Sequence, residues 1–165
     1  MDSSSPSHVG FGMLTPVVIM VVNQLPEHNT GAIIKDVNEF IFDDAAQRSD
    51  ESPMDVAEKL IHQGVKTALI TMAEKGCLAV QGDEVIRIHA PSVRAVDGCG
   101  AGATFSAAFI YGYLHNWNLE KSLRFATAAA SLKVIKAGLQ MFPVEEIKSL
   151  ASKLEVKYPA INGKL

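Results

Sequence analysis

The sequence predicts an α/β fold with a mainly parallel central sheet, and three observations predict it. Val17–Val22 is a continuous apolar, largely β-branched run, as a strand buried on both faces should be. Ser52–Gly64 followed by Thr67–Met72 reads as a helix feeding a buried strand, half of a βαβ unit. Val93–Val96 runs into Asp97-Gly98-Cys99-Gly100-Ala101-Gly102-Ala103-Thr104-Phe105, which reads as a strand, a glycine-rich turn and a helix start in succession.

Composition sets the outer bounds. The chain has 165 residues, 48% apolar and 20% charged, enough for one domain with a sizeable core. Fifteen Lys and Arg against 18 Asp and Glu leave a net charge of −3, so neither nucleic acid nor an anionic membrane is an expected partner. Cys77 and Cys99 lack metal-ligand spacing and fit a reducing, cytoplasmic setting. The five histidines are scattered and give no metal site. Val17–Val22 is too short to span a bilayer, and the Ser-rich start has no basic n-region of a secretory signal.

The elements follow in order. Residues 1–10 form a loose polar lead-in. After the first strand a turn-rich stretch, Asn23–Gly31, leads to the apolar piece Ala32–Ile34, and Asn38–Gln47 reads as a short helix. Ser52-Pro53-Met54-Asp55 is a helix start, with Ser at the cap, Pro in the first turn and an acid three residues on. Val56, Ala57, Leu60 and Ile61 make its apolar stripe, and Gly64 stops it. Cys77–Gln81 and Val85–Ile88 flank Gly82-Asp83 as a hairpin. A helix near 102–115 follows, then one near 119–137 capped by Asn118 and ended by Gly138, then a last helix, Val144–Leu154, opened by Pro143.

The glycine-rich turn carries the chemistry. The helix that Gly102 opens exposes amides without intrahelical partners at the positive end of its dipole. A strand, a glycine turn and a helix N-terminus make an anion site, most often for phosphate; the alternative is a tight connection with no ligand. Asp97 is either a cap of that turn or a ligand of a cation. Cys99 reads as small packing, with no basic neighbour to activate it. Phe105, Phe109 and Tyr113, four apart, read as core, His89 and His115 as surface or boundary residues. Glu145-Glu146 favours a helix dipole and is no catalytic pair.

The order of pieces resembles a known family. Thr71-Met72-Ala73-Glu74-Lys75-Gly76, a hairpin, Asp97–Gly102, Arg124-Phe125-Ala126-Thr127-Ala128-Ala129 and Lys136-Ala137-Gly138 look like the ATP-binding half of the ribokinase-like PfkB carbohydrate kinases. The likeness covers about residues 31–150. It implies a truncated three-layer α/β/α sandwich, with 11–158 as the C-terminal part of the kinase domain and 159–165 as a tail. It also implies ATP-dependent phosphorylation of a sugar hydroxyl, with ATP or ADP and Mg²⁺ as cofactors and K⁺ as a further ion.

Roles follow residue by residue from the resemblance. Gly100, Ala101 and Gly102 would form the anion hole, and Thr71–Gly76, with Ala73, Glu74 and Gly76, would hold nucleotide phosphate and ribose. Thr127 would lie near the adenine, and Asn38 would help organise Mg²⁺. Asp97, Cys99 and the backbone from Lys133 to Gly138 would correspond to the monovalent-cation loop.

The departures bear on activity. The family's catalytic Asp, the general base, falls at Ala103, which has no proton acceptor. The Glu of its Asn-x-x-Glu motif falls at Ile41, and a motif glycine at Ala73. The family's N-terminal half, with most of the sugar pocket, has no counterpart in these residues. The expectation is a nucleotide-binding kinase domain that is weakly active or inactive, taking a sugar only if a complementary half is supplied. The alternative is a non-catalytic pseudokinase module or a fragment of a split gene. An exposed sheet edge would be relieved by a homodimer or a complementary chain.

Overall fold

Strand β3, Thr67–Thr71, shows how the layers are built. Alternate residues point to opposite faces: Ala68 and Ile70 pack with one apolar cluster and Leu69 with another. The computed structural model describes residues 14–22, 34–44, 52–138 and 140–159. The lead-in 1–10, the turn 23–31 and most of the tail lie outside the described residues.

Among the described residues the sheet runs in chain order. It comprises β1 (Leu14–Val22), β2 (Ile34–Asp44), β3, β4 (Cys77–Gln81), β5 (Glu84–Ile88) and the two-residue β6 (Val156–Lys157). One face is covered by α1 (Pro53–His62) through Val56, Ala57 and Leu60, packed on Ala68, Ile70, Leu78, Val80 and Val85. The other is covered by α2 (Ala101–Leu114) and α3 (Leu119–Val134). There Phe105, Phe109, Leu123, Phe125 and Ala129 share a core with Leu69, Cys77, Ala79, Ile86 and Ile88. The short α4 (Val144–Ala151) closes this cluster through Ile147 and Ala151. The three-layer α/β/α arrangement stands.

Local signals account for the helix ends. Ser52 Oγ accepts from the Asp55 amide at 3.1 Å, and Asn118 Oδ1 from the Lys121 amide at 2.9 Å, each satisfying a first-turn donor. Gly64 follows α1 with φ of +94°, and Pro143 immediately precedes α4.

Four expectations need correction. The sheet is not mainly parallel: β2–β3 is parallel, whereas β1–β2, β3–β4, β4–β5 and β5–β6 are antiparallel. The β3–β4 and β4–β5 links are Met72–Gly76 and Gly82-Asp83, far too short for the crossover that parallel neighbours require. Of the helix expected over Asn38–Gln47, the described part, 38–44, is strand instead, since residues 34–44 form β2 between β1 and β3. Val37, Phe40, Ile41 and Phe42 favour strand by composition, and pairing on both sides fixes it. Val93–Val96 is not a strand either. The Val96 and Asp97 amides donate to the Val134 carbonyl, at 2.7 and 3.0 Å, so this segment is bound to the end of α3 rather than to the sheet. The last two helices end at Val134 and Ala151, short of the expected 137 and 154, and β6 was not foreseen.

Candidate nucleotide cleft

The sheet and α2–α3 leave a cleft of about 620 Å³ at one end of the domain. Its walls come from three places: the Thr71–Gly76 link, the extended segment after β5, and the facing ends of α2 and α3. Thr71, Ala73, Glu74, Gly76, Ala101, Gly102 and Thr127, foreseen from sequence as site residues, all line it.

At the head of α2 the chain supplies donors. Gly100 is its N-cap in the left-handed region, φ +82°, which turns the backbone sharply into the helix. The Ala101 amide is engaged by the Gly98 carbonyl at 3.2 Å, and the Thr104 amide returns to the Gly100 carbonyl at 2.9 Å. The Gly102 and Ala103 amides, in the first turn, have no preceding helical carbonyl to reach. A Cβ built on Gly102 would meet no protein atom within 4 Å. The fold does not require glycine here, and a small residue keeps this side of the cleft open.

The opposite wall is tightly determined. Gly76 has φ of +90°, and a Cβ there would lie 2.0 Å from the Ile88 carbonyl oxygen. Ala73 also adopts a positive φ, +48°, a conformation that costs a residue with a Cβ. It stands where the resemblance has glycine, and its backbone keeps the shape that glycine would take.

Behind the cleft Thr127 is buried and paired. Its hydroxyl lies 3.3 Å from Cys77 Sγ, and its carbonyl accepts from Ser131 Oγ at 2.8 Å. Burial pushes the Cys77 thiol up to about 11, against a smaller opposing effect of the Thr127 hydrogen bond. Sequence reasoning missed Cys77 as the support of Thr127. It also missed Pro91, Ser92 and Val93 on the rim, whose signal was Pro91 itself, an unsuitable residue for a central strand.

Beside the cleft, Asp97 gathers the glycine turn to the end of α3. Its Oδ1 accepts from the Cys99 amide at 2.9 Å and its Oδ2 from the Gly138 amide at 2.9 Å. Lys133 Nζ lies 3.3 Å from Oδ2. The Cys99 amide first, then Gly138 and Lys133, hold the carboxyl below the usual carboxylate range. Asp97 therefore joins the two segments expected to form a cation loop, and Cys99 contributes its amide while its thiol stays exposed.

The remaining candidates fall elsewhere. Asn38 lies in β2, paired with Ile19, and Ala103 is exposed on the first turn of α2. Among the described residues no cluster of His, Cys, Asp or Glu has the makings of a metal site. No described helix is long and apolar enough to cross a membrane.

Comparison with known proteins agrees with this geometry. The profile of the pfkB family carbohydrate kinases matches residues 23–146. The ribokinase of Lactococcus lactis is 26% identical over 139 residues, which are 83% of this chain and 46% of that protein. The ribokinase structure from Thermotoga maritima superposes with a TM-score of 0.56 at 32% identity, over 60% of this chain and 34% of the other. A protein from E. coli described as a ribokinase II, in complex with ATP and Mg²⁺, superposes with a TM-score of 0.59 at 22% identity, over 66% and 36%. The chain spans less than half the length of each.

Proposed function

The chain belongs to the pfkB family of carbohydrate kinases, and we propose that its cleft binds ATP or ADP with Mg²⁺, the phosphates at the head of α2. The carrying observation is that Ala101 and Gly102, which open α2, line a cleft of about 620 Å³, a volume adequate for a ligand at a helix N-terminus. Thr71, Glu74 and Gly76 would flank phosphate and ribose, and Thr127 and Ser131 would form the floor toward the base. Asn38, on β2, would help organise Mg²⁺, with the nucleotide phosphates and water as its further ligands. The E. coli relative bound to ATP and Mg²⁺ supports this reading.

The family reaction is transfer of phosphate to a sugar hydroxyl, and this copy is weak or inactive in it. Residue 103 corresponds by resemblance to the general base, and an exposed methyl takes no proton. Loss of a general base costs about 10²–10⁴-fold. Ala103 equally favours a second reading, a pseudokinase that binds nucleotide and acts through its surface. The free thiols of Cys77 and Cys99 accord with a cytoplasmic protein.

Gly102→Ala tests the cleft. Replacing a helix glycine in open space should stabilise the ligand-free chain by up to about 1 kcal/mol. The same methyl should weaken MgADP binding several-fold or more, read as a smaller ligand-induced rise in melting temperature. A variant that binds MgADP as well as the parent would remove the phosphate site from the head of α2.

A further inference from the structure

Lys133 is a charged side chain only 2% exposed, and its ammonium is surrounded by oxygens. Nζ lies 3.2 Å from the Asp97 carbonyl, 3.3 Å from Asp97 Oδ2 and 3.5 Å from the Lys136 carbonyl. Three donors thus meet three acceptors, two of them main-chain carbonyls. Carbonyl and carboxylate oxygens drawn from two separate loops are what an alkali cation takes as ligands. They belong to the very segments, Asp97 and 133–138, that the sequence resemblance marks for a monovalent ion.

The residues present do not fit that ion. The oxygens around Asp97 and Lys136 are bonded to Nζ, and a second positive charge would stand within a few ångströms of an ammonium whose side chain is only 2% exposed. We infer that the Lys133 ammonium replaces the monovalent cation, tying the glycine turn to the end of α3 from within the chain and making the domain indifferent to potassium. An ammonium and a potassium ion carry the same charge and are close in size. The tethered one pays no association entropy and cannot be washed out. The Lys133 stem reaches its oxygens from the last turn of α3, so the register of that helix against Asp97 fixes the head group. Gly138 N–H and Cys99 N–H hold the carboxylate from the other side, and the ammonium completes a closed set.

This inference does not depend on nucleotide binding, and its test omits nucleotide. Melting of the full chain is followed in KCl, NaCl and N-methylglucamine chloride at equal ionic strength. The wild type should melt within about 1 °C in all three, whereas a potassium-specific rise of roughly 3 °C or more would overturn the inference. Lys133→Ala, which vacates the oxygens, should melt lower in N-methylglucamine and recover by about 3 °C in potassium. A folded Lys133→Ala that ignores potassium would also overturn it, because the oxygens would then form no cation cage. If that variant does not fold in any of the salts, the wild-type comparison decides alone.

Discussion

Cys77 Sγ lies 3.3 Å from Thr127 Oγ1, joining β4 to α3 directly behind the cleft. The contact is buried, and burial raises the thiol from 9.0 to about 11. A folded-state value above the unfolded one means that the native protein holds this proton longer. Its contribution to stability is therefore complete below pH 9 and is lost as pH rises toward 11. Urea melts of the wild type should show falling stability across that window, with a shallower fall in Cys77→Ala. Thiol titration of the folded chain near neutral pH should count one reactive group, the exposed Cys99, and two after denaturation.

Gly76→Ala should be among the most damaging single changes in the described part of the chain. Its methyl would sit 2.0 Å from the Ile88 carbonyl oxygen and 2.7 Å from the Ala90 amide nitrogen, both backbone atoms, at a φ of +90°. A loss of roughly 3 kcal/mol or more is expected, measured by chemical denaturation. Ala73→Gly should move the other way. Relief at φ +48° is partly offset by the added freedom of the unfolded chain, leaving a gain of at most about 1 kcal/mol.

These two positions also show what was legible in the sequence. The hairpin beyond Gly76 read correctly because Gly82-Asp83 between two apolar runs is a local signal. The caps Ser52 and Asn118 read correctly for the same reason. The residues quoted for the resemblance converge in space, with Thr71, Gly76, Gly102 and Thr127 on one cleft. Residues 34–44 misled because Val37, Phe40 and Ile41 also match helical spacing, and only pairing with β1 and β3 decides between the two. Val93–Val96 misled because strand-forming composition does not reveal that the Val96 amide, with that of Asp97, is taken by the Val134 carbonyl. Lys133 was marked by sequence for its backbone alone. Nothing local in Ser131-Leu132-Lys133 announces that the side chain turns inward to Asp97.

Asp97→Ala and Lys133→Met should differ in severity. Removing Asp97 leaves the buried Lys133 ammonium without its carboxylate and frees the Cys99 and Gly138 amides. Lys133→Met fills similar volume with an apolar chain and leaves a carboxylate that solvent can reach. The melting temperature of Asp97→Ala should therefore fall further, and restoring either residue alone to the double variant should not recover wild-type stability.

Arg124 is a structural residue, although it stands in one of the sequence segments that carry the resemblance. Its Nη1 donates to the Leu154 carbonyl at 2.8 Å and the Ala151 carbonyl at 3.3 Å, while Nε pairs with Glu120 at 2.6 Å. Arg124→Lys loses the fork that spans these acceptors and should cost about 1–2 kcal/mol without altering ligand binding. Equal MgADP-induced shifts in melting temperature for parent and variant check the second half of that statement.

The proposed nucleotide cleft should work despite an alanine at residue 103. Calorimetric titration of the full chain with MgADP and MgATP, in N-methylglucamine chloride free of alkali ions, tests it most directly. One site per chain is expected, with a dissociation constant in the micromolar range, on the order of −7 to −8 kcal/mol. No heat of binding from a chain shown to be folded by its melting transition, in potassium as well as without it, would mean that the cleft binds no nucleotide.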